Sequence, residues 1–221
     1  MAADDVQLRP DEYILEGGHG SLSLKKNENG RISFSLYSRG ANGHECGIDG
    51  EIQETLAHVA GIVEGRPCLI KFQPTSKGIA VSAESEGCQD FCGVRAGISG
   101  EYLTTTKDCT TDAVLKSRQK FKTLFDSKAF HQAKATLAPL ISACEDTLNF
   151  IESTWMRNDL ALTNYRLKDY NECMRILAPV ADIAVEYEGV EATELRSDLQ
   201  ELLPVMKATL TNLKHCKKQL R

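Results

Sequence analysis

The hydrophobic period of this chain changes once, near residue 105, and one layer of secondary structure cannot accommodate both halves. Before that point the pattern is two. Residues 31–37 (RISFSLY) put Ile32, Phe34 and Leu36 on one face of a strand and Ser33, Ser35 and Tyr37 on the other. Similar short runs fall at 12–16, 21–25, 45–52, 68–72 and 79–83. Turn chemistry separates them: Gly17-Gly18, Asn27-Glu28-Asn29-Gly30, the loop 39–43, Gly65-Arg66-Pro67 and the segment 74–78. The stretch 56–63 is poorly patterned. About six to eight strands at this spacing predict an antiparallel barrel or sandwich whose apolar residues form its core. After residue 105 the period is helical, with helices expected over 111–127, 130–144, 147–166, 170–187 and 191–217. Pro204 should kink or interrupt the last. The fold class is therefore α+β. An N-terminal antiparallel β barrel or sandwich (1–105) precedes a C-terminal all-α helical-hairpin bundle (106–221), and 221 residues suffice for two small domains.

The helical half repeats itself at an offset of 40 residues. Phe125, Lys128, Phe130, Ala133, Leu137, Ala138, Pro139 and Leu140 recur as Tyr165, Lys168, Tyr170, Cys173, Leu177, Ala178, Pro179 and Val180. The pattern resembles a divergent tetratricopeptide-like helix–turn–helix. The aromatic ends the first helix, the Lys lies in the turn, and a small residue lets the second helix pack closely. The Pro is expected near the end of the second helix, where it disturbs least.

The chain has eight cysteines. Cys109 opens the first helix and Cys144 closes the second, and antiparallel neighbours bring those ends together. The same argument joins Cys173 to Cys216. In the β half, Cys46 and Cys68 begin strands that a meander sets two apart, ~10 Å, beyond the ~7 Å Cα limit of a bridge. Cys68 and Cys88 flank one hairpin. The preferred scheme is Cys46–Cys92 with Cys68–Cys88; Cys46 with Cys68 and Cys88 with Cys92 remains the alternative. On this scheme the Gly-rich stretch 88–102 (CQDFCGVRAGISGEY) is scaffold rather than a site. Bridged cysteines place the chain in an oxidising compartment. The start, MAADDVQLRPDEY, has neither a basic nor an apolar signal region. The reconciling expectation is a mature chain whose export signal has been removed.

Composition excludes several classes. Apolar content of 42% with 26% charged residues is that of a globular protein, and a net charge of −5 argues against a general nucleic-acid binder. No apolar run approaches the ~20 residues of a membrane span. In the helical half, an acidic stretch from Asp182 to Glu201 precedes a basic end. It reads as solvated helix faces, or as a docking face for a basic partner.

Catalytic signatures are lacking. His19, His44, His58, His131 and His215 are scattered, so no metal is expected. A bridged Cys92 cannot act as a nucleophile. Ser23-Leu24-Lys25-Lys26 matches S-x-x-K without its companion motifs, and no G-x-S-x-G or phosphate-binding glycine loop occurs. The reading is a protein without catalytic residues, metal or cofactor, whose function is binding.

A resemblance narrows this. Asn42-Gly43-His44-Glu45-Cys46, Gly50-Glu51-Ile52, Pro67-Cys68-Leu69-Ile70-Lys71-Phe72, Cys88-Gln89-Asp90-Phe91-Cys92-Gly93 and Gly100-Glu101-Tyr102 together resemble a β-rich module of bacterial cell-envelope proteins. That module sometimes accompanies LprI-type lysozyme-inhibitor domains. The helical cysteine pattern of the LprI type is absent. The resemblance implies a periplasmic protein-binding protein, an inhibitor or immunity protein that neutralises a cell-wall-directed hydrolase or a secreted effector. The alternative is a non-enzymatic envelope assembly or scaffolding factor that binds a protein in its helical groove. The partner-binding candidates are Arg39, Asn42 and His44 on the loop 39–45, Thr75 and Lys77 on the loop 75–78, and Trp155, Arg157 and Asn158 on a helix. Trp and Arg are favoured interface anchors.

Overall fold

The structure, a computed structural model, describes residues 8–40 and 43–220; of Asp198 only the backbone is described. The chain divides into two compact units, with the boundary between Thr106 and Lys107.

The first unit is a closed barrel of eight antiparallel strands in sequence order. They are β1 (Glu12–Leu15), β2 (Gly20–Lys26), β3 (Ile32–Arg39), β4 (Glu45–Gln53), β5 (Leu56–Val59), β6 (Cys68–Pro74), β7 (Gly78–Ala83) and β8 (Gly100–Thr104). Closure comes from β1 pairing with β8, with Tyr13 opposite Thr104 and Leu15 opposite Tyr102. The ladder therefore runs from β1 round to β8 and back to β1. The two-residue alternation sends Leu22, Leu24, Phe34, Leu36, Ile48, Ile70, Phe72, Ile79 and Val81 inward, all buried. The rings of Phe34 and Phe72 meet inside with centroids 5.0 Å apart. Gly50, directly opposite Phe34 in the register, makes room for that ring. A β-carbon there would lie 2.8 Å from Phe34 Cε1. Each of these large side chains contributes roughly 1.5–3 kcal/mol by leaving water.

A meander of this kind places every second connection at the same barrel end. The connections 16–19, 40–44, 60–67 and 84–99 therefore share one end. The turns 27–31, 54–55 and 75–77 share the other. The 84–99 connection contains a short 3₁₀ helix (Glu86–Phe91) and is fastened twice, by Cys68–Cys88 and Cys46–Cys92. Its residues Ala96 and Ile98 belong to the barrel core, so the connection stoppers this end. Ser38 Oγ donates to the Gly97 carbonyl at 2.7 Å, and Tyr102 Oη donates to the Ile98 carbonyl at 3.0 Å. Burial pushes the Tyr102 phenol well above its usual range.

The second unit holds α1 (Thr111–Asp126), α2 (Phe130–Ala143), α3 (Phe150–Arg166), α4 (Tyr170–Glu186), a short α5 (Ser197–Gln200) and α6 (Leu203–Lys218). Successive helices α1 to α4 pack on one another, and α6 packs on α3 and α4. Cys109–Cys144 and Cys173–Cys216 tie this unit, and no cysteine is free. The 40-residue repeat is visible atom by atom. Lys128 and Lys168 both adopt left-handed backbone, φ 65° and 63°. Each sits in the same C-terminal cap. Ala129 N–H donates to the Leu124 carbonyl and Asp169 N–H to that of Asn164, both at 2.9 Å. These bonds satisfy carbonyls that a helix end leaves orphaned. Phe125 meets Phe130 with centroids 5.2 Å apart, and Tyr165 meets Tyr170 at 5.7 Å. Ala133 and Cys173, then Leu137 and Leu177, are fully buried.

Three local expectations change. Pro179 lies well inside α4, which continues to Glu186, rather than near its end. The helix expected over 191–217 begins instead as a 3₁₀ turn and the short α5, and the interruption expected of Pro204 falls just before it, with Pro204 in the first turn of α6. That position suits a residue without an amide hydrogen. The acidic stretch is partly neutralised by the basic end: Lys214 bonds Glu188 at 2.7 Å, and Lys207 lies 3.8 Å from Glu191. The Lys214 bond holds the Glu188 carboxyl below its ordinary range.

Candidate protein-binding site at one barrel end

Among the described residues, the stoppered end of the barrel carries the most exposed large apolar side chains of the first unit. Val94 is 88% exposed, on the 84–99 connection. Ile62 (65%) and Val63 (47%) project from the 60–67 connection. Single exposed apolar residues are ordinary, but these three stand on two connections at the same barrel end, where a partner could cover them. The rim is braced from below. The Gly93 amide donates to the Glu45 carbonyl at 2.9 Å, and the Arg39 amide to that of His19 at 2.7 Å. Arg66 reaches Asp90 at 3.5 Å, tying the two apolar connections together.

Beside the rim lies a cleft of about 680 Å³. Arg66, Ser85, Glu86, Gln89, Ile98 and Ser99 line it, with Cys88 and Cys92 in its wall. It exists because β7 outruns β8: their pairing stops at Val81 and Gly100, and the Ala83 amide finds the Ser99 hydroxyl at 3.1 Å. Among the described residues no three His, Cys, Asp or Glu side chains converge as a metal site.

The sequence candidates scatter. Arg39 and His44 lie at this rim; Asn42 is outside the described residues. The His44 ring packs over Gly93, where a β-carbon would lie 2.6 Å from Nδ1. Thr75 and Lys77 are at the opposite barrel end, so the loops 39–45 and 75–78 cannot form one insertion surface. Thr75 is a turn former: its hydroxyl accepts from the Lys77 and Gly78 amides at 3.2 and 3.0 Å and bonds Glu101.

The α3 candidates are absorbed by their own unit. Asn158 is only 3% exposed and is corrected from surface to core. Its amide donates to Thr209 Oγ1 at 2.9 Å, and its carbonyl oxygen accepts from Asn212 at 2.9 Å. Arg157 donates to the Ile176 carbonyl at 3.5 Å and lies 3.7 Å from Glu145. Trp155 packs with Ile151, Tyr187 and Leu210 around Ala184, Val205 and Met206. Helical spacing puts residues 154, 158 and 161 on one buried stripe, and Asn158 falls on it.

Val94, Ile62 and Val63 escaped the sequence reading. The available signal was an apolar residue in glycine-bounded segments that follow no two-residue alternation, as in Gly61-Ile62-Val63-Glu64-Gly65 and Gly93-Val94-Arg95. Four disulfides fit an exported protein. No helix among the described residues is long and apolar enough to cross a membrane. Comparison with known proteins finds no family model, no curated protein and no solved structure that matches the chain.

Proposed function

We propose that this chain is a non-enzymatic protein-binding protein of the bacterial periplasm that neutralises a cell-wall-directed hydrolase or a secreted effector, as an inhibitor or immunity protein does. The observation that carries the binding reading is the apolar rim of Val94, Ile62 and Val63 on disulfide-braced connections. A loop fixed in advance loses little entropy on association, which favours insertion into an enzyme cleft. The resemblance of the β half to an envelope module narrows the target to cell-wall chemistry. The test is turnover of peptidoglycan by lysozymes and by secreted muramidases and amidases, with and without the oxidised chain. Inhibition of one of them, lost in Val94→Glu, is the expected result. No inhibition and no co-purified hydrolase from an envelope and effector mixture sinks the hydrolase reading.

A second reading is an envelope assembly or scaffolding factor that holds a protein segment against its tetratricopeptide-like hairpins. The recurrence of the caps at Lys128 and Lys168 supports it. It predicts that the helical surface, not Val94, governs capture.

A further inference from the structure

Seven of the eight cysteines are buried to 5% exposure or less, and Cys92 alone is half-buried. It lines the open cleft beside the barrel, as Cys88 does, but Cys88 is only 2% exposed, and the partner of Cys92, Cys46, is 1% exposed at the start of β4. Attack on a disulfide needs access along the line of the sulfur–sulfur bond, so access decides which sulfur of which bridge reacts. The Cys46–Cys92 link is the covalent tie between β4 and the 84–99 connection, across a sequence separation of 46. Beyond the disulfide, Cys46 and Cys92 form an isolated bridge outside the ladders, extended by the Gly93 amide on the Glu45 carbonyl and by the His44 ring over Gly93.

We propose that Cys46–Cys92 is a thiol-exchange site at which a dithiol reductant loosens the stopper of the barrel end. This goes beyond the binding reading and does not depend on it. One thiolate of the reductant enters the cleft and attacks Sγ of Cys92. The sulfur–sulfur bond breaks, a mixed disulfide forms at Cys92, and Cys46 leaves as a thiolate that takes a proton from water. The second thiol of the reductant, deprotonated, attacks its own sulfur in the mixed disulfide and releases Cys92 as a thiolate, which is protonated in turn. The reductant ends as a disulfide, and Cys46 and Cys92 end as thiols.

The release is local, because other fastenings stay. Cys68–Cys88 holds the start of the connection, with both residues buried. Ser38 on the Gly97 carbonyl and Tyr102 on the Ile98 carbonyl hold its end. Between them residues 89–97 lose their covalent tie to β4, and Ala96, part of the barrel core, can leave its seat.

The oxidised full chain is titrated with dithiothreitol under native conditions, trapped with N-ethylmaleimide and mapped by peptide. Cys46 and Cys92 should be labelled at reductant levels about tenfold below those that label the other six. Amide exchange over 91–97 should then rise about tenfold while β2 and β3 stay protected. Another bridge opening first, all thiols appearing together, or unchanged exchange over 91–97 after labelling each overturns the proposal. The Cys46→Ser/Cys92→Ser variant should show the same fast exchange without reductant. If it is folded with full protection over 91–97, or does not fold, the release is not local and the proposal fails.

Discussion

Lys128 and Lys168 hold left-handed backbone in two copies of one turn, and their β-carbons oppose it. For a residue with a β-carbon this conformation costs roughly 1–2 kcal/mol. Glycine removes that cost but gives the unfolded chain more freedom, worth roughly 0.5–1 kcal/mol. The difference leaves Gly ahead of Ala by about 0.5–1 kcal/mol per site. Alanine is the necessary control. Both Lys side chains are exposed, and each sits past a helix C-terminus where a cation is favoured, so Ala and Gly lose the same charge. The two caps lie in separate turns and share no hydrogen-bond partner, so their effects should add to about 1–2 kcal/mol. Thermal unfolding of the oxidised chain followed by helical circular dichroism should place Lys128→Gly/Lys168→Gly about 4–8 °C above Lys128→Ala/Lys168→Ala. Equal melting temperatures would falsify the strain argument and leave the recurrence of Lys at this position a matter of charge alone.

Three further outcomes follow from burial. Asp159 is pushed up to about 6 by burial, against the opposing pull of Arg118 at 3.8 Å and Lys122. The folded chain therefore keeps this proton to about pH 6, whereas the unfolded chain releases it near 3.8. Stability falls as pH rises through that window, by about 1–2 kcal/mol once partial exposure is allowed for. Asp159→Asn should flatten that part of a urea-midpoint profile; an unchanged slope refutes the assignment. Asn158→Ala removes the donor to Thr209 and the acceptor for Asn212 inside the helical unit. It should cost about 2–3 kcal/mol in chemical unfolding, and a loss under about 0.5 kcal/mol would show the network to be solvated. Ile98→Ala empties the stopper of a side chain that is 2% exposed. The expected cost is about 2–4 kcal/mol, with faster amide exchange confined to the 84–99 connection and its neighbours; exchange that rises only in the helical unit counters the stopper assignment.

The sequence by itself determined the local grammar of this chain. Alternation at Ile32, Phe34 and Leu36 made a strand, and the helical period after residue 105 made helices, because burial on one side of each element is a local property of spacing. The preferred cysteine pairing of the β half also followed from strand order, although an alternative pairing stayed open. Once strands follow one another in a meander, β5 separates Cys46 from Cys68 and leaves Cys92 as a partner within reach. The repeat was legible because both copies keep the aromatic, the turn Lys and the small residue.

Only the tertiary structure decided which residues face a partner. Barrel closure puts the 39–45 and 75–78 connections at opposite ends, a consequence of strand parity across the whole sheet rather than of either loop. Packing of α6 against α3 turns Asn158 from a polar helix residue into a buried donor. On the connections at that end, Ala96 and Ile98 join the barrel core while Val94 and Ile62 stay exposed, a division set by the closed barrel rather than by local spacing. Spacing along a chain fixes which face is apolar. Which apolar side chains remain outside depends on how much room the rest of the fold has left.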